Sequence, residues 1–162
     1  MGKITDYLQW RGDLGFTKDP LNDVDTLILA LLSYLPLKDI VPGIESYKEI
    51  SLKDTAKQYF SKYSKIEDKS STINATASST FDSEVEALFK KVSNCPRFEE
   101  IRLSRFEENV DFVIGRQFAA ITFTLHIPEH KKVIAFRGTD NSVVGWKEDF
   151  ELAYMEQIPA QE

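Results

Sequence analysis

The apolar residues of this 162-residue chain change their period near the middle, and that change limits the fold more than any other feature. Before Pro96 they recur at helical spacing. After it they alternate. Val24, Leu27, Ile28, Leu31, Leu32 and Leu35 form one helical stripe, with Asn22 placed to cap it, Asp25 in its first turn and Pro36 to stop it. A second stripe, Leu52, Ala56, Tyr59, Phe60 and Tyr63, opens on the capping pattern Ser51-x-x-Asp54. A third comprises Phe81, Val85, Leu88, Phe89 and Val92, with Ser83 and Glu86 as its capping pair and Pro96 as the last point at which it can end. Residues 70–80, SSTINATASST, lack charge and aromatic side chains and read as a flexible loop between the second and third helices.

Beyond Pro96 the pattern predicts three strands. Ile101, Leu103 and Arg105 alternate with Arg102, Ser104 and Phe106. Phe118 to His126 is β-branched and aromatic, with Ala119, Ile121, Phe123 and Leu125 on one face. Val133 to Phe136 is a short apolar run of the kind found at the centre of a sheet. The turn from Pro128 to Lys131 is too short for a crossover, so the last two strands form an antiparallel hairpin. A helical segment from about Ser142 to Tyr154 follows, so the expected class is α/β.

Composition removes several functions. Twenty basic against 26 acidic residues give a formal charge of −6, which disfavours a nucleic-acid surface. One cysteine, Cys95, and two histidines, His126 and His130, exclude a disulfide framework and Cys- or His-rich metal cages, so neither metal nor cofactor is expected. The longest apolar stretch, Leu27 to Leu35, is far shorter than the ~20 residues of a membrane-spanning helix. The first ten residues do not resemble a secretion signal, and the expected location is cytoplasmic. Arg11-Gly12-Asp13 then reads as a turn rather than an adhesion motif. Asp19, Asp23 and Asp25 lack the glycine and terminal Glu of a calcium loop and belong to a helix N-terminus. Glu99-Glu100 and Glu107-Glu108 read as a solvated acidic rim, Cys95 as an inert thiol and His130 as a solvated turn residue.

The richest chemistry lies where the last strand gives way to a helix. Gly138 allows a tight turn, and Thr139 offers an N–H and a hydroxyl at a junction where backbone donors can hold an anion. The same residues also suit an ordinary β–α turn, with Thr139 or Asp140 capping the helix. Arg137 falls on the opposite side by strand alternation and reads as a salt-bridge anchor for the turn.

Ala135-Phe136-Arg137-Gly138-Thr139 resembles the strand-end motif of class 3, fungal-type lipases, and Trp146 with Asp149 resembles their Trp-x-x-Asp pattern. The likeness extends to a bacterial family of lipase-like α/β-hydrolases. It rests on Tyr7-Leu8-Gln9-Trp10-Arg11-Gly12-Asp13, Asn22-x-x-Asp25-x-Leu27-Ile28-Leu29, Gln117 to Phe123, Phe136 to Asp140, and Gly145 to Phe150 through Pro159-Ala160-Gln161. This resemblance implies that Thr139 is an oxyanion-hole donor supported by Gly138 and Asp140, with Arg137, Trp146 and Asp149 in lid or structural roles. It also implies an acyl-ester or lipid substrate for a complete member. Yet no serine lies in a Gly-x-Ser-x-Gly elbow, and no histidine follows Thr139. Residues 1–162 are therefore expected to be one partial domain, the N-terminal portion of an α/β-hydrolase-like fold and inactive alone. In this picture helices precede an antiparallel three-stranded run and a β–turn–α unit. The alternative is a non-catalytic binding or assembly module that forms a homodimer through an exposed sheet edge.

Overall fold

A computed structural model describes residues 4–67, 80–111, 116–127 and 130–137. The elements run α1 (Ile4–Arg11), α2 (Asp23–Leu32), β1 (Ile50–Ser51), α3 (Leu52–Glu67), α4 (Thr80–Val92), α5 (Pro96–Glu99), β2 (Arg102–Asp111), β3 (Arg116–Leu125) and β4 (Lys131–Phe136). The expected loop at 70–80 lies outside the described residues except for Thr80, where α4 begins. No described helix is long and apolar enough to cross a membrane.

Capping chemistry sets the helix starts. Asn22 Oδ1 accepts the N–H groups of Val24 and Asp25 at 2.9 and 3.2 Å, and Asp25 Oδ2 accepts the Asn22 N–H at 3.0 Å, completing a reciprocal cap. Ser51 Oγ accepts from the Asp54 N–H at 3.0 Å at the head of α3. The α3 and α4 stripes bury Leu52, Ala56, Tyr59, Val85, Phe89 and Val92 as their spacing requires.

Among the described residues the sheet has four antiparallel strands in the order β1-β2-β3-β4, one more than the expected three. The added strand, β1, pairs Ile50 with Leu103 and Ser51 with Arg102. Two residues cannot show an alternating pattern, which is why the sequence hid it. One sheet face carries Leu103, Ile121, Phe123 and Ala135 into the core with the helices. Helices with this antiparallel sheet agree with the α/β class in its coarse form.

Two details depart from the simple patterns. The β2–β3 register shifts between Ser104 and Glu107, and Arg105 adopts a left-handed φ of 53°. This bulge turns Phe106 into the core beside Leu103, where uninterrupted alternation would have turned it outward. Helix α2 is also rotated from its expected face. Asp25, Ile28, Leu29 and Leu32 are buried, whereas Leu27 stays 50% exposed. The reason is Asp25, whose carboxylate is drawn inward by an ion pair described below.

Candidate functional site

β4 presents both the strand end where the anion-holding turn was expected and an open side. Its register joins Ile121 to Ala135, Thr122 to Ile134 and Ala120 to Phe136. The Arg137 N–H donates to the Ala119 carbonyl at 2.9 Å. Because antiparallel partners alternate, Ala135 and Arg137 direct their backbone groups toward β3, while Ile134 and Phe136 direct theirs to the other side. Among the described residues no strand pairs there. The side chains of Ile134 and Phe136 are 59% and 62% exposed, and the Phe136 ring lies 6.0 Å from that of Phe118. Within the described residues β4, a strand with the composition of a sheet centre, is the last strand of the sheet.

The strand end is held firmly. Arg137 Nη1 donates to Glu108 Oε1 at 2.9 Å, with both side chains mostly shielded from solvent. The pair joins β2 to the residue that follows β4, across β3. Arg137 Nε is buried and has no hydrogen-bond partner among the described residues. Gly138, Thr139, Asp140, Trp146 and Asp149 lie outside the described residues, so only Arg137 of the expected set is placed.

A second polar cluster was not visible in the sequence as a unit. Arg97, only 2% exposed, donates through Nε and Nη2 to the two Asp25 oxygens at 2.9 and 2.6 Å. Its Nη1 donates to the carbonyls of Leu14 and Asp19 at 2.6 and 2.9 Å, and Nη2 to that of Pro20 at 3.2 Å. The guanidinium also lies 4.3 Å from the Phe16 ring centroid. Tyr7 donates to Asp25 Oδ1 at 2.8 Å and accepts from Asn22 Nδ2 at 2.8 Å. Burial opposes the charge of Arg97, but the hydrogen bonds and charge of Asp25 outweigh it and hold the guanidinium pKa above its ordinary value. Burial raises the pKa of the Tyr7 hydroxyl. Every donor of the guanidinium is engaged with protein groups, so the cluster ties the fold rather than meeting a ligand. A lone arginine two residues beyond Cys95 carried no sequence signal for this role.

The remaining candidates are dispersed. Lys53 pairs with Glu99 at 2.6 Å, so the acidic rim is partly consumed by local ion pairs. His126 Nε2 lies 3.1 Å from Glu49 Oε2, and exposed His130, with φ of 45°, sets its ring 5.9 Å from that of His126. No group of three or more metal-ligating side chains with metal-holding geometry occurs among the described residues. Cys95 is half-buried, and burial raises its pKa, which disfavours the reactive thiolate.

Fold and site together define an α/β protein whose helices back an antiparallel sheet in which, among the described residues, β4 has no strand on its outer side. A family model described as Mbeg1-like matches residues 92–162, the part that contains β2, β3, β4 and the strand end. No curated protein and no solved structure matches the chain. The matched family is Mbeg1-like rather than a lipase or α/β-hydrolase family, and this corrects the lipase-like resemblance. The motif at residues 7–25 that carried much of that resemblance belongs, through Tyr7, Asn22 and Asp25, to the buried Arg97 cluster.

Proposed function

We propose that the chain is a binding and assembly module whose β4 edge accepts a β-strand from a second copy. The observation that carries this reading is the apolar strand β4, which no strand pairs on its outer side among the described residues, with Ile134 and Phe136 exposed. Two β4 edges meeting antiparallel about a two-fold axis would satisfy each other's outward backbone groups. Sedimentation equilibrium tests the proposal, with a concentration-dependent dimer as the expected result. Ile134→Pro removes an outward N–H without breaking the β3 ladder and is expected to leave a folded monomer. A wild-type monomer at every concentration, or an unchanged dimer in Ile134→Pro, overturns the reading.

A second reading concerns acyl-ester chemistry, and the observation favouring it is the anchored strand end. The Arg137–Glu108 pair and the Arg137–Ala119 hydrogen bond hold the chain just ahead of Gly138 and Thr139. A firmly held approach is what backbone donors aimed at an oxyanion require. In this reading the approach to an oxyanion turn is present, while residues 1–162 hold no Gly-x-Ser-x-Gly elbow and no histidine after Thr139. A serine-directed fluorophosphonate probe is therefore expected to leave the chain unlabelled, with no turnover of a short p-nitrophenyl ester above background. Saturable labelling of one serine would sink this partial-site reading.

A further inference from the structure

On the helical side of the molecule, α3, α4 and the turn after α2 border a cavity of about 310 Å³. It is lined by Tyr34, Tyr59, Tyr63 and Glu86, with Leu35 and Val85 adding apolar surface. The Tyr59 and Tyr63 rings lie 4.6 Å apart with a 40° tilt. The Tyr59 hydroxyl donates to Glu86 Oε1 at 2.6 Å, and that of Tyr63 donates to the Pro36 carbonyl at 3.3 Å. Three aromatic residues and one carboxylate therefore meet around a small space.

Two observations give this space a sign. The ammonium of Lys62 lies 5.8 Å from the Tyr63 ring centroid, so the protein already sets a cation near that ring. The Tyr63 hydroxyl has a raised pKa, first from burial and then from the charges of Glu108, Glu86 and Asp39. Glu86, Glu108 and Asp39 thus set negative charge around Tyr63, with Lys62 the cation beside it. Hard metal ions do not suit it, because π faces are poor substitutes for oxygen ligands, and no metal-holding group exists among the described residues. A neutral apolar ligand would leave the Glu86 charge unanswered.

We propose that the cavity between α3, α4 and the turn after α2 binds an organic ammonium of the methylated, choline-like class. The cation rests against the tyrosine rings, and the Glu86 carboxylate balances its charge. Methylated ammonium is weakly hydrated and apolar at its surface, so it gives up water at little cost on entering an aromatic site. The volume is at the lower end of small-molecule sites and suits a compact head group.

Calorimetric titration of the full chain with choline, Nε-trimethyllysine and the neutral choline isostere 3,3-dimethylbutan-1-ol tests this at constant ionic strength. Saturable binding of at least one cation is expected, with the neutral isostere at least ~5-fold weaker. Tighter binding of trimethyllysine assigns the site to a protein side chain; tighter binding of choline assigns it to a choline-bearing small molecule. Glu86→Gln keeps an acceptor for Tyr59 but removes the charge, and Tyr63→Leu removes a ring; each should weaken cation binding ~5-fold or more. Tyr63→Phe keeps the ring and should retain binding, so it separates loss of the aromatic face from loss of fold. Absence of saturable cation binding, equal binding of the neutral isostere, or unchanged affinity in both Glu86→Gln and Tyr63→Leu would overturn the proposal.

Discussion

Arg97 and Asp25 are 72 positions apart, yet each is nearly or wholly sealed from solvent by the other's segment. Their bidentate contact, three carbonyl acceptors and the Tyr7 hydroxyl compensate for removing two charges from water. Truncating one partner removes that compensation and leaves the other charge buried. Asp25→Ala is therefore expected to lower unfolding free energy by ~3–5 kcal/mol, measured by urea denaturation. Tyr7→Phe, which removes one hydrogen bond to the cluster, should cost only ~1 kcal/mol in the same assay. The spacing of Asn22 and Asp25 already disclosed a helix cap, and the cap formed. What spacing did not disclose is that Asp25 serves two partners at once, its own helix terminus and Arg97. Gly12 belongs to the same scale. A Cβ there would lie 2.3 Å from the Leu8 carbonyl oxygen, while the Gly12 carbonyl accepts the Arg97 N–H at 2.9 Å. Crowding at the end of α1, rather than adhesion, accounts for a glycine in that tripeptide.

At the scale of elements, helical stripes were the clearest signal, because a long amphipathic run repeats its message over several turns. α3 and α4 formed with their expected apolar faces. α1 and α5 went unread, being eight and four residues long. Strand alternation located β2, but the bulge at Arg105 changed which residues face inward after it. An L-residue pays steric energy in the left-handed region, and a β-branched residue pays most. Arg105→Val should therefore be less stable than Arg105→Gly by ~1–2 kcal/mol in thermal or urea melts. Equal stabilities would show that the φ of 53° carries no strain. The rotation of α2 follows the same logic: its apolar residues tolerate more than one face, whereas a buried carboxylate must meet its guanidinium.

For the whole molecule, the proposed β4 pairing makes a prediction about association. If β4 pairs with a second copy, the native dimer is favoured by mass action, and the melting temperature should rise with protein concentration. Ile134→Pro should abolish that dependence while retaining a cooperative melt, as differential scanning calorimetry over a hundredfold concentration range would show. Local patterning by itself determined the helix stripes, the Asn22 cap, the β3–β4 hairpin and the coarse α/β class, since each depends on residues close in sequence. Only the tertiary structure decided that Arg97 closes on Asp25, that Phe106 turns inward, that Glu86 and three tyrosines line one cavity and that β4 ends the described sheet. The apolar run in β4 records a demand for burial on both faces. It contains nothing about which strand, if any, lies alongside, because strand neighbours are set by hydrogen bonds between segments distant in sequence.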